Sequence, residues 1–169
     1  MSLDDLSNDQ LKELVRIYAR NIIALDGVWF QSIEQENGMD AAIHHDRNAW
    51  RRFSEIEARR IKKFLQIPDR SGLDGLKKAL ALRFSALGNA KVEFICNTNS
   101  LTYRVIDCRV QSARRSKNMP FHPCKSVGMI EHEHFAKAID ERIECTAISC
   151  FPEITDKSCA CAWKFVLGE

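Results

Sequence analysis

Apolar side chains in the first half of the chain recur every three or four residues, the spacing of one face of an α-helix. Ser7 and Gln10 form a Ser-x-x-Gln capping box that begins the first helix, and Gly38 is placed to end it. The apolar positions on this helix are Leu11, Leu14, Val15, Tyr18, Ile22, Leu25, Trp29 and Ile33. The pattern therefore predicts one long amphipathic helix at the amino terminus.

Three further helices are predicted before the middle of the chain. Their spans are residues 40–45, 48–65 and 73–87. The second of them should turn five apolar side chains toward the core: Trp50, Phe53, Ile56, Ile61 and Phe64. A turn over residues 68–72 precedes the third helix, and Gly88 with Asn89 ends it.

The period of the pattern changes after residue 89, where apolar and polar residues begin to alternate as they do in β-strands. The predicted strands span residues 92–96, 101–107, 142–149 and 161–167, and two helices span residues 109–117 and 127–139. The order β-β-α-α-β-β predicts an α+β fold, with amino-terminal helices packed on a carboxy-terminal four-stranded antiparallel sheet. We expect a single domain over residues 1–169, with a helical half (1–88) and a cysteine-rich α+β half (89–169).

Composition adds limits on partners and location. The 169 residues are 45% hydrophobic and 28% charged, an ordinary globular balance. A net charge of +2 favours neither nucleic acid nor a membrane surface as a partner. The first residues lack a signal peptide, and no apolar run approaches the ~20 residues of a membrane span. We therefore expect a cytoplasmic protein with a small-molecule ligand, and a homo-oligomer is compatible with the sequence.

All seven cysteines lie in the second half of the chain. They occupy positions 96, 108, 124, 145, 150, 159 and 161. In a reducing cytoplasm such residues serve as buried thiols, metal ligands or redox groups. The redox state of Cys159 and Cys161 is left open by the sequence.

Two kinds of chemistry compete with simple packing of these thiols. A metal site would use Cys108, His122, Cys124 and Cys150, which suit zinc or iron, although paired CxxC motifs are missing. A reactive thiol would be Cys124, because His122 and Lys125 nearby lower a thiol pKa. In that interpretation Cys124 and His122 are the catalytic residues.

A second candidate group lies in the helical half. Asp26 shares the apolar side of the first helix, and Glu57 and Arg60 flank the apolar stripe of the helix predicted over residues 48–65. One interpretation is an internal Asp26–Arg60 ion pair that fixes the helix packing. In the other, the three residues line a pocket between helices and sheet, where Arg60 binds a substrate carboxylate.

Five segments carry a resemblance to known proteins. They are residues 25–30 (LDGVWF), 53–61 (FSEIEARRI), 108–111 (CRVQ), 123–128 (PCKSVG) and 161–165 (CAWKF). Together they resemble a bacterial and archaeal family labelled "cytosolic protein", which has no assigned function. The resemblance covers nearly the whole chain.

The layout of helices followed by a cysteine-bearing α+β half, with its Cys-x-aromatic-basic-Phe ending, is also similar to two better described families. These are the L-2-amino-thiazoline-4-carboxylate hydrolases and the vinyl-reductase-like ligand-binding domains. The hydrolases open a small sulfur heterocycle bearing a carboxylate and give N-carbamoyl-cysteine. That resemblance implies that Arg60 or Lys125 holds the carboxylate, and that Cys124 or a bound metal directs water to the ring carbon.

Three functional hypotheses follow. The first is a hydrolase-like enzyme that acts on a compact carboxylate-bearing molecule through a Cys/His site, with Asp26, Glu57, Arg60 and Lys125 as ligand-binding residues. The second is a non-catalytic domain that binds or senses a ligand or metal in the same place. The third is a structural or interaction protein whose thiols only pack.

Overall fold

The chain forms a group of helices followed by a β-β-α-α-β-β unit whose strands make one antiparallel sheet. The computed structural model describes residues 2–89 and 91–168. A short 3₁₀ turn (Leu3–Asp5) precedes the helices α1 (Asn8–Asn37), α2 (Met39–Phe64), α3 (Gly72–Ala81), α4 (Phe84–Gly88), α5 (Arg109–Ser116) and α6 (Lys125–Ile139). The strands are β1 (Lys91–Asn97), β2 (Ser100–Asp107), β3 (Ile143–Cys150) and β4 (Cys161–Leu167). The α+β class and the order of strands and helices along the second half are confirmed.

The sheet has the spatial order β1-β2-β4-β3, so that β2 and β4 lie in its centre. Its buried side chains join those of α3 and α6 in the main core, which contains Leu76, Leu80, Leu101, Tyr103, Phe135, Ile139, Ile143, Trp163 and Phe165. Gly128 lets α6 approach this sheet closely, since a Cβ there would lie 2.6 Å from two atoms of the Trp163 ring. The small residue therefore fixes the spacing between α6 and β4.

Helix α1 begins and ends as its local sequence predicts. The Ser7 hydroxyl accepts a hydrogen bond from the Gln10 backbone N–H, the Gln10 side-chain oxygen accepts one from the Ser7 backbone N–H, and Gly38 ends the helix. Its apolar stripe, however, faces outward rather than into the core: Leu25 and Trp29 are each 69% exposed. The buried positions of α1 are Ala19 and Phe30. Periodicity identified the helix but not the face that packs.

The two other helical predictions in the first half need correction. Helix α2 is continuous where two helices over residues 40–45 and 48–65 were predicted, because no glycine or proline interrupts it between Met39 and Phe64. Its predicted core face is mixed, with Trp50 buried but Phe64 exposed. Conversely, the single helix predicted over residues 73–87 is broken into α3 and α4. The break lies at Leu82 and Arg83, and Arg83 has an extended backbone.

A buried cluster of charges accounts for that break. The Arg83 side chain is fully buried; its Nε donates to Glu57 at 2.9 Å, and its guanidinium lies 2.9 Å from a carboxylate oxygen of Glu131. The Phe84 backbone N–H donates to the second oxygen of Glu57 at 2.9 Å. We call Glu57, Arg83 and Glu131 the ion cluster. Its tertiary pairing outweighs the local preference of this segment for helix.

Among the described residues, none of the helices combines the length and apolarity that crossing a membrane requires.

Candidate functional site

A cavity of about 770 Å³ opens between α1, α2, α5, α6 and the sheet edge near the end of β2. This volume lies in the range of small-molecule sites. Much of its wall is apolar, including Phe30, Trp50, Phe84, Val105, Val127 and Trp163. Polar groups are few and gather around the segment between α5 and α6. That segment carries the residues that the sequence predicted to be catalytic.

His122 and Cys124 lie together in the wall of this cavity. His122 is only 7% exposed, its ring packs 4.5 Å from the Phe30 ring, and its Nε2 lies 3.2 Å from Oδ2 of Asp46 on α2. Its other ring nitrogen, Nδ1, is buried and has no hydrogen-bond partner among the described residues. Cys124 is the residue immediately before α6. The three side chains thus place an acid, an imidazole and a thiol beside one cavity.

Gln111 of α5 holds this segment in place. Its side-chain oxygen accepts from the His122 backbone N–H at 3.1 Å, and its amide nitrogen donates to the His122 carbonyl at 2.8 Å. The same nitrogen lies 3.6 Å from Sγ of Cys124. The Gln111 side chain therefore holds the backbone of His122 and also donates to the Cys124 thiol.

The electrostatic surroundings favour a thiolate on Cys124 and a positive charge on His122. Burial opposes the charge on His122, but the Asp46 carboxylate and the Cys124 sulfur outweigh it and raise the pKa of His122 to about 9. The Cys150 thiol donates to Cys124 and, against the opposing effect of burial, lowers the pKa of Cys124 to about 5 together with His122 and Gln111. Near neutral pH the two groups form an ion pair.

Three other thiols surround Cys124. The Sγ atoms of Cys124 and Cys150 are 3.4 Å apart. Cys161 pairs with Cys150 across β3 and β4, and its sulfur accepts from the Trp163 indole N–H at 3.3 Å. Cys108 lines the same cavity, but burial raises its pKa to about 12 and keeps it protonated. Cys124 is therefore the thiol of this group whose surroundings favour ionisation.

The predicted metal set is brought to one cavity but not into a coordination geometry. Cys108, His122, Cys124 and Cys150 all line the cavity. Within residues 2–89 and 91–168, no group of three or more His, Cys, Asp or Glu side chains is arranged to hold a metal ion.

The predicted ligand-binding residues are scattered. Asp26 lines the cavity, and burial followed by repulsion from Asp46 and Glu131 raises its pKa to about 7. Glu57 belongs to the ion cluster, so its partner is Arg83 rather than a ligand. Arg60 is exposed and forms no pair with Asp26, and Lys125 pairs with Glu153. Neither Arg60 nor Lys125 lines the cavity.

The sequence interpretation missed Asp46 and Gln111. The sequence nevertheless carries a signal for Asp46, because Ala42, Asp46, Trp50 and Ser54 recur every four residues and share the buried face of α2. An acid on such a face needs a partner from another element. Gln111 gave no comparable signal, because its role depends on how α5 meets the segment at His122.

Comparison with known proteins identifies a family for almost the whole chain, but that family has no assigned function. No curated protein and no solved structure matches the chain. The resemblance to the thiazoline-carboxylate hydrolases therefore has no support from them. The profile of a family of unknown function, DUF6125, matches residues 4–167. The chain belongs to the DUF6125 family.

Proposed function

We propose that this protein is a thiol-dependent enzyme in which Cys124 attacks an electrophilic carbon of a small molecule held in the cavity. The observation that carries the proposal is the grouping of three side chains in the wall of a cavity of about 770 Å³: Asp46 lies 3.2 Å from the His122 ring, and Cys124 follows His122 by two residues in the same wall. A nucleophile, a base beside it and a third group that orients the base make up the recurring arrangement of covalent catalysis.

The chemistry can be written for an acyl or amidine carbon. The Cys124 thiolate forms a bond to that carbon, and the leaving group takes a proton from the His122 imidazolium. Water then attacks the thioester or thioimidate, with neutral His122 accepting its proton, and Cys124 is released. The first-turn N–H groups of Ser126 and Val127 have no carbonyl partner within α6, so they are available for the negative charge that develops on the substrate.

The start of α6 adds to the stability of the thiolate. Partial positive charge at a helix amino terminus favours an anion placed there. The Lys125 N–H, the first of α6, already donates to the Phe151 carbonyl at 3.1 Å. The helix end is thereby attached to the loop after β3, which also carries Cys150.

The polar groups of the cavity favour a neutral or cationic substrate over a carboxylate. Its four basic lining side chains already have partners: Arg20 contacts Glu13, Arg109 contacts the Gly88 carbonyl, Arg114 contacts Glu34 and Lys117 contacts Gln31. Of the lining acids, Asp46 is matched by His122 and Glu131 by Arg83, while Asp26 has a pKa of about 7 and can accept from a polar or amine group of a ligand. We therefore replace the carboxylate-bearing substrate predicted from the resemblance with an uncharged or amine-bearing molecule that has an apolar body.

Selective alkylation tests the reactive thiol. Iodoacetamide should modify Cys124 with a rate that is half-maximal near pH 5, the pH at which the thiolate forms. Peptide mapping should show Cys124 modified before the exposed Cys96. A Cys96→Ser variant controls for surface reaction. The proposal fails if the rate at Cys124 rises only above about pH 8, as for an unperturbed thiol.

Acyl transfer tests the enzyme itself. With p-nitrophenyl acetate and p-nitrophenyl hexanoate as probes, we expect release of nitrophenol and a transient acyl group on Cys124, detected by intact mass. His122→Ala should slow release of the acyl group by about 100-fold, the contribution of a general base. Rapid alkylation of Cys124 without any acyl adduct would overturn the enzymatic proposal while leaving the thiol assignment intact.

The second candidate is a non-catalytic domain that binds a small molecule, and the inner wall of the cavity favours it. The hydroxyls of Ser85 and Tyr103 and Nδ1 of His132 are buried and make no hydrogen bond of normal geometry within the described residues. All three residues line the cavity. Such groups suit a ligand with an uncharged polar group at its inner end. A probe that raises the melting temperature without acylating Cys124 would support this role.

A further inference from the structure

The thiols of Cys124 and Cys150 lie in direct contact. Their Sγ atoms are 3.4 Å apart, although the residues are separated by 26 positions in the chain. Cys150 is 1% exposed and ends β3, whereas Cys124 is half-buried at the start of α6. The nucleophile of the site therefore has a second thiol within reach, and solvent approaches the pair from the side of Cys124.

We propose that Cys124 and Cys150 form a redox pair that a hydroperoxide converts into a reversible intramolecular disulfide. This deepens the proposed function by assigning a regulation to the same site. It rests on the assignment of Cys124 as the thiolate, but it does not require acyl transfer.

The first step oxidises Cys124. Its thiolate attacks the outer oxygen of the hydroperoxide, the O–O bond breaks, and the departing oxygen takes a proton from the His122 imidazolium to leave as water or an alcohol. Cys124 becomes a sulfenic acid and the peroxide is reduced by two electrons.

The second step uses Cys150. Its sulfur attacks the sulfur of the sulfenic acid, the S–O bond breaks, and the hydroxyl group leaves as water with the proton from Cys150. A disulfide requires an S–S distance of about 2.05 Å, so the sulfurs must approach by about 1.4 Å. An external dithiol, such as dithiothreitol, then returns both thiols and is itself oxidised.

Two other cysteines near the site are less suited as the partner of Cys124. Cys161 lies across from Cys150 and its sulfur is engaged by the Trp163 N–H, so it competes for Cys150 rather than for Cys124. Burial raises the pKa of Cys108 and keeps its thiol protonated, so Cys108 is a weak nucleophile toward a sulfenic acid on Cys124. Geometry thus points to Cys150 as the resolving thiol.

The inference is tested on the full chain with hydrogen peroxide at a one-to-one ratio. We expect the protein to lose the mass of two hydrogen atoms, with non-reducing peptide mapping linking Cys124 to Cys150. Alkylation of Cys124 by iodoacetamide should fall at least tenfold and recover after dithiothreitol. A bridge between Cys150 and Cys161, or oxidation spread over all cysteines, would overturn the proposal.

Variants separate this inference from the proposed function. Cys150→Ser should stop at the sulfenic acid, which dimedone captures on Cys124, and Cys96→Ser should still form the bridge. Cys161→Ser should also form it. If Cys150→Ser behaves as the wild type toward peroxide, the redox pair is excluded. Acylation of Cys124 by p-nitrophenyl acetate in reduced protein is measured alongside, so that failure of the redox pair and failure of the enzymatic proposal give different results.

Discussion

The ion cluster and the Cys124 site are both buried polar groups that include a carboxylate of α2, but they differ in how their charged side chains are paired. In the ion cluster, Arg83 is matched by two carboxylates and Glu57 also accepts from a backbone N–H. At the Cys124 site, Asp46 satisfies one nitrogen of His122, and the other nitrogen is left without a hydrogen bond among the described residues. Nη1 and Nη2 of Arg83 also make no hydrogen bond of normal geometry among the described residues, but Arg83 is held between two carboxylates away from the cavity, whereas His122 lines the cavity.

The two groups also differ in what burial does to them. Around Arg83 the carboxylates overcome desolvation and raise its pKa, so its charge is permanent. At the Cys124 site, neighbouring groups lower the pKa of Cys124 to about 5 and raise that of His122 to about 9. Arg83 therefore keeps its charge throughout the physiological pH range, whereas between about pH 5 and pH 9 Cys124 is a thiolate and His122 carries a proton that it can donate.

The largest effect is expected on the stability of the ion cluster. Arg83→Met leaves Glu57 and Glu131 buried without their cation and should lower the free energy of unfolding by about 3–5 kcal/mol. Urea denaturation measures the change. As a control, Arg59→Met removes an exposed partner of Glu55 and should cost under about 1 kcal/mol. An equal loss of unfolding free energy in the two variants would show that the buried ion cluster stabilises the fold no more than an exposed ion pair does.

A smaller effect, on reactivity, is expected at Asp46. Asp46→Asn keeps an oxygen near His122 but removes its charge, so the pKa of His122 should fall and that of Cys124 should rise. At a pH near 4, below the pKa of Cys124, alkylation of Cys124 should slow by about tenfold, which corresponds to roughly one pKa unit. Asp40→Asn, at an exposed position on the same helix, is the matched control. An unchanged pH profile in Asp46→Asn would remove Asp46 from the site.

The smallest effect is expected at Gln111, which positions the site through backbone contacts. Gln111→Ala removes its donor to Cys124 and both bonds to the His122 backbone. We expect alkylation at pH 4 to slow by about threefold, with the half-maximal pH moved upward by about half a unit, since charge-assisted hydrogen bonds contribute modestly. The exposed neighbour Ser112→Ala should match the wild type. A change in stability alone, with the same pH profile, would assign Gln111 a purely structural role.

The sequence predicts this fold best where the causes are local. The Ser7–Gln10 capping box and Gly38 set the ends of α1 without help from distant residues, and alternation alone located the strands. Arg83 shows the opposite case, because its extended backbone depends on carboxylates 26 positions earlier and 48 positions later in the chain. The outward stripe of α1 failed as a core prediction because periodicity does not say which face is covered.

The candidate site was predictable only in part, for the same reason. The closeness of His122 and Cys124 in sequence suggested a reactive thiol, and the apolar side of α1 drew attention to Asp26. Asp46, Gln111 and the contact with Cys150 depend on the tertiary arrangement of four elements. The sequence alone does not show that Arg60 lies on the exposed side of α2, since that depends on how α2 packs against α6.

Because Asp46, Gln111, Cys124 and Cys150 are spread over more than a hundred positions, the site is assembled late in the synthesis of the chain. A nascent chain that has exposed Cys124 to solvent still lacks β3 and β4, and its thiol behaves as that of an ordinary cysteine. The low pKa of the Cys124 thiol, and therefore its reactivity, arises only when folding brings these residues together. The rate at which iodoacetamide modifies Cys124 near pH 6 therefore reports how much of the protein has folded.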